Sequence, residues 1–233
     1  MKIALLGYGR MGKAIEAIAL ERGHQIVYKQ DFDLQEGTLQ AAQVAINFSI
    51  PDAAVQNIKT AMDAKVPVVC GTTGWLAHYE SITAYCHKQQ SGFLYASNFS
   101  IGVNLFFKLN KALAQWMAPH SSYQARLEET HHIHKLDAPS GTAITLAEGI
   151  LETGRYKQWA LDSDQDSDLS IHAVRTGEVP GTHTVHYTSA VDEIQIKHEA
   201  FSRTGFALGA VVAAEWLAGK QGVYSMEDVL NVS

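Results

Sequence analysis

An α/β fold in two domains is what this sequence predicts, on three observations. A G-x-G-x-x-G run, Gly7-Tyr8-Gly9-Arg10-Met11-Gly12, stands between an apolar run and a stretch of helical spacing. Short apolar runs and helix-like stretches then alternate up to about residue 100, which is the pattern of a parallel sheet with crossover helices. Beyond Ser100 a long apolar helix is followed by strand-like runs in succession, which suit an antiparallel or mixed sheet. The expected architecture is an N-terminal Rossmann-like, doubly wound parallel sheet and a second α+β domain carrying an open mixed sheet. The first domain takes residues 1–99 plus 204–233, and the second takes residues 100–203.

Residues 3–6 form a short apolar run, readable as a buried strand. Met11, Ala14, Ile15, Ile18 and Ala19 repeat at helical spacing, and Gly23 supplies a stop. Residues 25–29 make a second strand, and the polar stretch 33–42 reads as loop. Strand 44–48 leads to a helix over 51–64, where Pro51 suits the first turn. Strand 66–70 ends in Gly71-Thr72-Thr73-Gly74. A helix over 77–90 and a strand over 93–96 complete the alternation. After the helix 101–117, a strand at 123–130 delivers a cluster of histidines, and a helix runs from Thr142 to about Thr153. The stretch 156–168 is polar and acidic, a surface excursion. Strands at 169–175, 182–187 and 192–200 follow, then a helix over 207–218 and a short tail turn at 224–230.

A glycine fingerprint alone is weak evidence. Here it lies between a strand and a helix, with an acid, Asp31, about twenty residues on. The glycines permit a tight turn and let a pyrophosphate approach the helix N-terminus, while Asp31 can accept from ribose hydroxyls. Loops at strand C-termini line the ligand crevice of such sheets, which puts Gly71, Thr72 and Thr73 beside a dinucleotide.

The chain of 233 residues has a net charge of −6, 46% hydrophobic and 18% charged residues. That composition suits a globular protein with a substantial core. Scattered Lys and Arg argue against a nucleic-acid partner. No run approaches the ~20 apolar residues of a membrane span, and the N-terminal apolar run is too short for a signal peptide. Cys70 and Cys86 give no disulfide framework, which points to a reducing cytoplasm.

The stretch Glu128-Glu129-Thr130-His131-His132-Ile133-His134-Lys135-Leu136-Asp137-Ala138-Pro139-Ser140-Gly141-Thr142-Ala143 carries the chemistry. His131 is the natural proton donor, since a free imidazole titrates near pH ~6.5. Lys135 adds a fixed positive charge. Ser140, Gly141 and Thr142 offer hydroxyls and backbone N–H groups at a helix start, a ready anion site. Acid, cation and anion cradle together suit a carboxylate substrate that must receive a proton. Zinc on His131, His132 and His134 is the alternative, weakened by the adjacent Lys135; the site is read without a metal.

The block from His131 through Ala143 resembles the signature of the 4-hydroxy-tetrahydrodipicolinate (dihydrodipicolinate) reductase family. Gly7 to Gly12, Gly71 to Gly74 and Ala96-Ser97-Asn98-Phe99-Ser100-Ile101-Gly102-Val103-Asn104 resemble its three cofactor-facing loops. Arg203 through Val211 and Met226-Glu227-Asp228-Val229-Leu230 resemble its C-terminus. The resemblance implies reduction of a small cyclic imine dicarboxylate by NADH and/or NADPH, with loss of water, on the diaminopimelate route to lysine. It implies His131 as proton donor and Lys135 as second catalytic residue. It also implies substrate binding by His132, Gly141 and Thr142, alongside Ser140, and cofactor binding by Ala96, Ser97, Asn98 and Phe99 beside Gly7–Gly12, Asp31 and Gly71–Thr73. A homotetramer built through the second domain's sheet is implied as well. Phe32 departs from the family: it follows Asp31 where many members carry a basic residue able to hold a 2′-phosphate, and Lys29 is the nearby substitute. The rivals are another nicotinamide-dependent amino-acid or sugar dehydrogenase, a non-catalytic nucleotide-sensing module and a zinc hydrolase.

Overall fold

The computed structural model describes residues 1–202 and 204–231. Arg203, the first residue of the block assigned to the family's C-terminus, lies outside them. In chain order the elements are β1 (Lys2–Leu6), α1 (Arg10–Glu21), β2 (Gln25–Asp31), β3 (Leu34–Gly37), β4 (Val44–Asn47), α2 (Pro51–Asp63), β5 (Val68–Cys70), α3 (Tyr79–Gln89) and β6 (Gly92–Tyr95). Then come α4 (Ile101–Met117), β7 (Gln124–His131), α5 (Gly141–Leu151), β8 (Gln158–Leu161), β9 (Asp168–Arg175), β10 (Thr182–Thr188), β11 (Glu193–Glu199), α6 (Thr204–Leu217), β12 (Gly222–Tyr224) and α7 (Met226–Leu230). They form two compact units, Met1–Ile101 with Thr204–Ser233, and Gly102–Arg203. Among the described residues no helix is long and apolar enough to cross a membrane.

The first unit is a seven-stranded sheet in the order β12-β6-β5-β4-β1-β2-β3. All neighbours are parallel except β2 and β3. A strand covered on both faces must be apolar on both, and β1 shows this directly. Ile3 and Leu5 pack with Ile15, Ile18 and Ala19 of α1 and with Ala210, Val211 and Ala214 of α6. Ala4 and Leu6 pack with Ala54, Ile58 and Met62 of α2 and with Ile82 and Cys86 of α3. Helix α6 lies very close to the chain after β6: a Cβ on Gly209 would stand 1.6 Å from the Phe99 carbonyl oxygen.

The second unit is a five-stranded mixed sheet, β11-β10-β7-β9-β8. Strand β10 is antiparallel to β11 and β7, while β9 is parallel to β7 and β8. Its core joins Phe106, Leu113 and Met117 of α4 and Leu146, Ala147 and Ile150 of α5 to Leu127, Ile171, Val185 and Tyr187 of the sheet.

Three expectations need correction. Residues 33–42 are not all loop: they contain β3 and a 3-10 turn, Leu39–Ala41. The excursion 156–168 contains β8. The tail holds a three-residue strand, β12, as well as α7. Strands β3, β8 and β12 all lie at sheet edges, and an edge strand can form without a buried face to impose alternation on its sequence.

Candidate active site

In the first unit the glycine run forms the turn between β1 and α1. Gly7 has φ +99°, and a Cβ there would meet the Phe48 carbonyl oxygen at 2.2 Å. A Cβ on Gly12 would meet the Gly7 oxygen at 2.3 Å, so this glycine lets α1 close on the turn. Gly9 caps α1 without a side-chain hydrogen bond, and no atom lies within 4 Å of where its Cβ would be. Two glycines thus serve packing, and the third leaves open space at a helix N-terminus, which is the arrangement a pyrophosphate needs. Tyr8 is half-buried, Arg10 is exposed and Met11 packs partly on the core.

Asp31, at the end of β2, accepts from the Tyr8 N–H (2.8 Å) and the Phe32 N–H (2.9 Å). A carboxylate has capacity for further donors. A cavity of about 290 Å³ opens between Gly7, Asp31 and Phe32 on one side and Ser49, Ile50 and Ala53 on the other. It sits at the C-terminal ends of β1, β2 and β4, where the strand order reverses. Its far wall carries no motif that the sequence displays. Thr72 is buried, with its hydroxyl accepting from the Ser49 N–H (2.9 Å), and Thr73 is exposed. Ala96 and Asn98 are half-buried and Ser97 exposed. The Phe99 ring is 1% exposed within the core, leaving only its backbone for a ligand.

Lys29 is already engaged. Its Nζ lies 2.6 Å from Glu16 Oε1, 3.3 Å from the Tyr8 hydroxyl and 4.7 Å from the centre of the Tyr8 ring. The Glu16 carboxylate raises its pKa.

In the second unit three strands assemble a polar cluster at one end of the helix-covered face. Side chains two apart on β7 share a face, and there Ala125, Leu127, Glu129 and His131 are all buried. The ladders set His183 of β10 against Glu129 and Arg175 of β9 against His131. Glu129 is fully buried. Its Oε2 lies 2.7 Å from His131 Nδ1, in ionic contact though not aligned as a hydrogen bond. Its Oε1 accepts from Arg175 Nη2 (2.8 Å) and the Ser140 N–H (3.0 Å). Burial works to raise the Glu129 carboxyl, but His131, Ser140 and Arg175 together outweigh it and hold the group far below the usual carboxylate range.

His183 is pushed down to about 3, by burial first and then by the charge of His131. It is therefore neutral at pH 7. The Ser140 hydroxyl accepts from the Ala143 N–H (3.2 Å) and contacts His183 Nε2 at 2.9 Å. Ser140 is thus wholly engaged with protein groups, which fits a role in positioning. The opening of α5 falls to Gly141, whose Cβ position is clear of any atom within 4 Å, and to half-buried Thr142. Gly181 stands against the other side of the His131 ring: a Cβ there would lie 3.0 Å from Nε2.

Lys135 holds both oxygens of Asp137, at 2.8 and 2.7 Å. His132 is half-buried. His134 is exposed and turns to Glu178 at 3.5 Å. The three histidines of the zinc alternative do not converge. Among the described residues the one metal-like grouping is Glu129, His131 and His183, whose nearest donor atoms lie within 4.8 Å of one another. Arg175 already supplies a cation there, and the 2.7 Å approach is a direct contact without room for a bridging ion. Glu129, Arg175, Gly181 and His183 are given no role by the sequence. The only local signal was Glu129 lying two residues before His131 on a strand.

A reversed-order parallel sheet with an open glycine turn, joined to a second unit carrying a buried acid–imidazole pair, defines a dinucleotide-dependent oxidoreductase. Residues 1–99 and 102–230 match the family descriptions "Dihydrodipicolinate reductase, N-terminus" and "Dihydrodipicolinate reductase, C-terminus". The chain belongs to the dihydrodipicolinate reductase family. It is 53% identical to a 4-hydroxy-tetrahydrodipicolinate reductase of Christiangramia forsetii, over 99% of this chain and 98% of that one. It is 31% identical to the protein of that name from Neisseria meningitidis serogroup C, over 100% and 98%. The fold is that of a dipicolinate-bound dihydrodipicolinate reductase from Paenisporosarcina sp. TG-14, with a TM-score of 0.82 at 19% identity, covering 100% and 99% of the two chains.

Proposed function

We propose that the chain reduces 4-hydroxy-2,3,4,5-tetrahydrodipicolinate to tetrahydrodipicolinate, with His131 as proton donor and Lys135 as the second catalytic residue. The observation that carries this reading is the His131–Glu129 contact, which holds a protonatable ring in a buried site close to the start of α5. A nicotinamide cofactor, when bound, supplies the hydride. The open Gly9 turn and the cavity at Asp31 fit its pyrophosphate and adenosine. Hydride and one proton add to the substrate and one water leaves, so the reaction balances. His131 delivers the proton, a contribution typically worth ~10²–10⁴ in rate. Lys135 and the N–H groups of Gly141 and Thr142 hold the carboxylates, fixing the ring for transfer.

NADH is the better cofactor in this reading. Asp31 would repel a 2′-phosphate, Phe32 offers it no charge, and Lys29 is neutralised by Glu16. The first unit carries the cofactor, and the second carries the substrate and, through its sheet, contacts to other copies in a homotetramer. Two unpaired cysteines suit a cytoplasmic enzyme.

The test is cofactor oxidation followed at ~340 nm, with the imine dicarboxylate generated enzymatically in place. Turnover in the wild type that is lost in His131→Gln supports the reading. Cofactor binding without any oxidation would sink it, and so would a fully active His131→Gln.

A further inference from the structure

We infer that Glu129, held by Arg175, is the positioning residue for His131: it orients the imidazole and keeps a proton on Nδ1, so that Nε2 is the end that donates. The inference rests on the reading of His131 as proton donor. It starts from the 2.7 Å separation of His131 Nδ1 and Glu129 Oε2. A bare imidazole nitrogen and a carboxylate oxygen would repel at that distance, so Nδ1 carries a proton, in close contact with Oε2 though off the line of a hydrogen bond. Glu129 has no solvent exposure, and an uncompensated carboxylate there would be strongly disfavoured.

The surroundings compensate it from the other side. Arg175 Nη2 and the Ser140 N–H both fall on Oε1 and leave Oε2 to the ring. Arg175 is anchored in turn, with Nη2 donating to the Asp137 carbonyl (2.6 Å) and Nη1 to the Val174 carbonyl (2.8 Å). The strand ladders deliver the geometry, because Arg175 is the register partner of His131 and His183 that of Glu129. His183 does not compete for the charge. Its Nε2 stands 3.8 Å from Oε2, and burial keeps the ring neutral. On the far side Gly181 presents no side chain to Nε2, where a Cβ would come within 3.0 Å. One nitrogen is therefore committed to the carboxylate and the other is kept clear. This is the logic of a base oriented by a third group.

The groups facing His131 are Glu129 on its own strand, Arg175 from β9 and His183 from β10, with the charge of Lys135 also reaching His183. Replacing Glu129 by a neutral isostere removes the only anion among them. The Glu129→Gln enzyme should lose about a hundredfold in kcat at neutral pH, with KM changed less than about threefold. The fall of kcat with rising pH should move toward acid, because the carboxylate that favours a charged ring is gone. Glu129→Asp should recover part of the rate and of the shift, which a merely structural loss would not do.

A Glu129→Gln enzyme with wild-type kcat and an unmoved pH limb overturns the inference. If His131→Gln is inactive at the same time, the proton-donor reading survives and only the positioning role falls. If His131→Gln is fully active, both fall. Should Glu129→Gln fail to fold, nitrogen-15 NMR of the wild-type imidazole decides. A proton on Nδ1 on both sides of the titration is the expected result. A neutral ring protonated on Nε2, with Nδ1 bare, overturns it.

Discussion

The ammonium of Lys135 sits on both oxygens of Asp137, two residues along the same loop, at 2.8 and 2.7 Å. The Asp137 carboxyl is held below its ordinary range, chiefly by that lysine. The same loop is tied down by Arg175, which takes the Asp137 carbonyl. Lys135 therefore already holds one carboxylate, and under the proposed role of Lys135 substrate binding exchanges that anion for one of the substrate's two.

That exchange makes Asp137→Asn informative. An exposed ion pair is worth roughly 0.2–1 kcal/mol, and the Asp137 side chain is 62% exposed. Removing the internal competitor should lower KM for the dicarboxylate by a factor of roughly 1.5–5, with kcat within about twofold. Steady-state kinetics on the two proteins decides the matter. A raised KM would mean that Asp137 aims Lys135 and does not compete for it.

His183 should leave a mark on acid stability. Its folded pKa is about 3, against ~6.5 for a free imidazole. Between those values the unfolded chain binds a proton that the native state refuses. Stability is therefore full above pH ~6.5 and falls as pH drops, by at most ~1.4 kcal/mol per unit. Glu129 adds its own loss lower down, because an unfolded glutamate titrates near ~4.3. Urea denaturation between pH 6.5 and 5 isolates the histidine term, expected to be roughly 1–2 kcal/mol. His183→Gln retains an acceptor for the Ser140 hydroxyl and should flatten that segment. A small slope will remain, because burial also lowers His198, the register partner of His183. Equal slopes in the two proteins would show that His183 is not held neutral.

The parts legible in the sequence are those whose physics is local. Gly7 and Gly12 announce a close-packed turn because no other residue fits there. The strands β1, β4 and β5 announce themselves as apolar runs because both of their faces are covered. His131 and Lys135 stand out as titratable groups beside a helix start. The chemistry that completes the site is non-local. Arg175 and His183 reach His131 and Glu129 only through the registers of β9 and β10, which pair residues about fifty positions apart. No spacing rule shows that pairing. Glu129 looked like one of two adjacent acids, Glu128 and Glu129. Only the alternation of β7, settled by which face α4 and α5 cover, decides which of the two is buried.

Cofactor preference is where the sequence left two residues in balance, and the structure weighs one of them. Lys29 cannot readily serve a 2′-phosphate while it is paired with Glu16 and lies over the Tyr8 ring. Phe32 is 95% exposed at the rim of the cavity beside Asp31, so a longer, charged side chain there meets no packing constraint. The wild type should therefore show the higher kcat/KM with NADH. Phe32→Arg would place a guanidinium, the group best matched to phosphate geometry, next to the proposed ribose site. One charge-assisted hydrogen bond is worth ~1.5 kcal/mol or more, so kcat/KM for NADPH should rise about tenfold, while that for NADH stays within about twofold. The comparison needs only the two cofactors titrated against both proteins at fixed substrate. If the wild type already prefers NADPH tenfold, another cation supplies the phosphate site, and exposed Arg10 at the first turn of α1 becomes the residue to replace next. If Phe32→Arg moves neither cofactor, the adenosine does not lie in the cavity at Asp31.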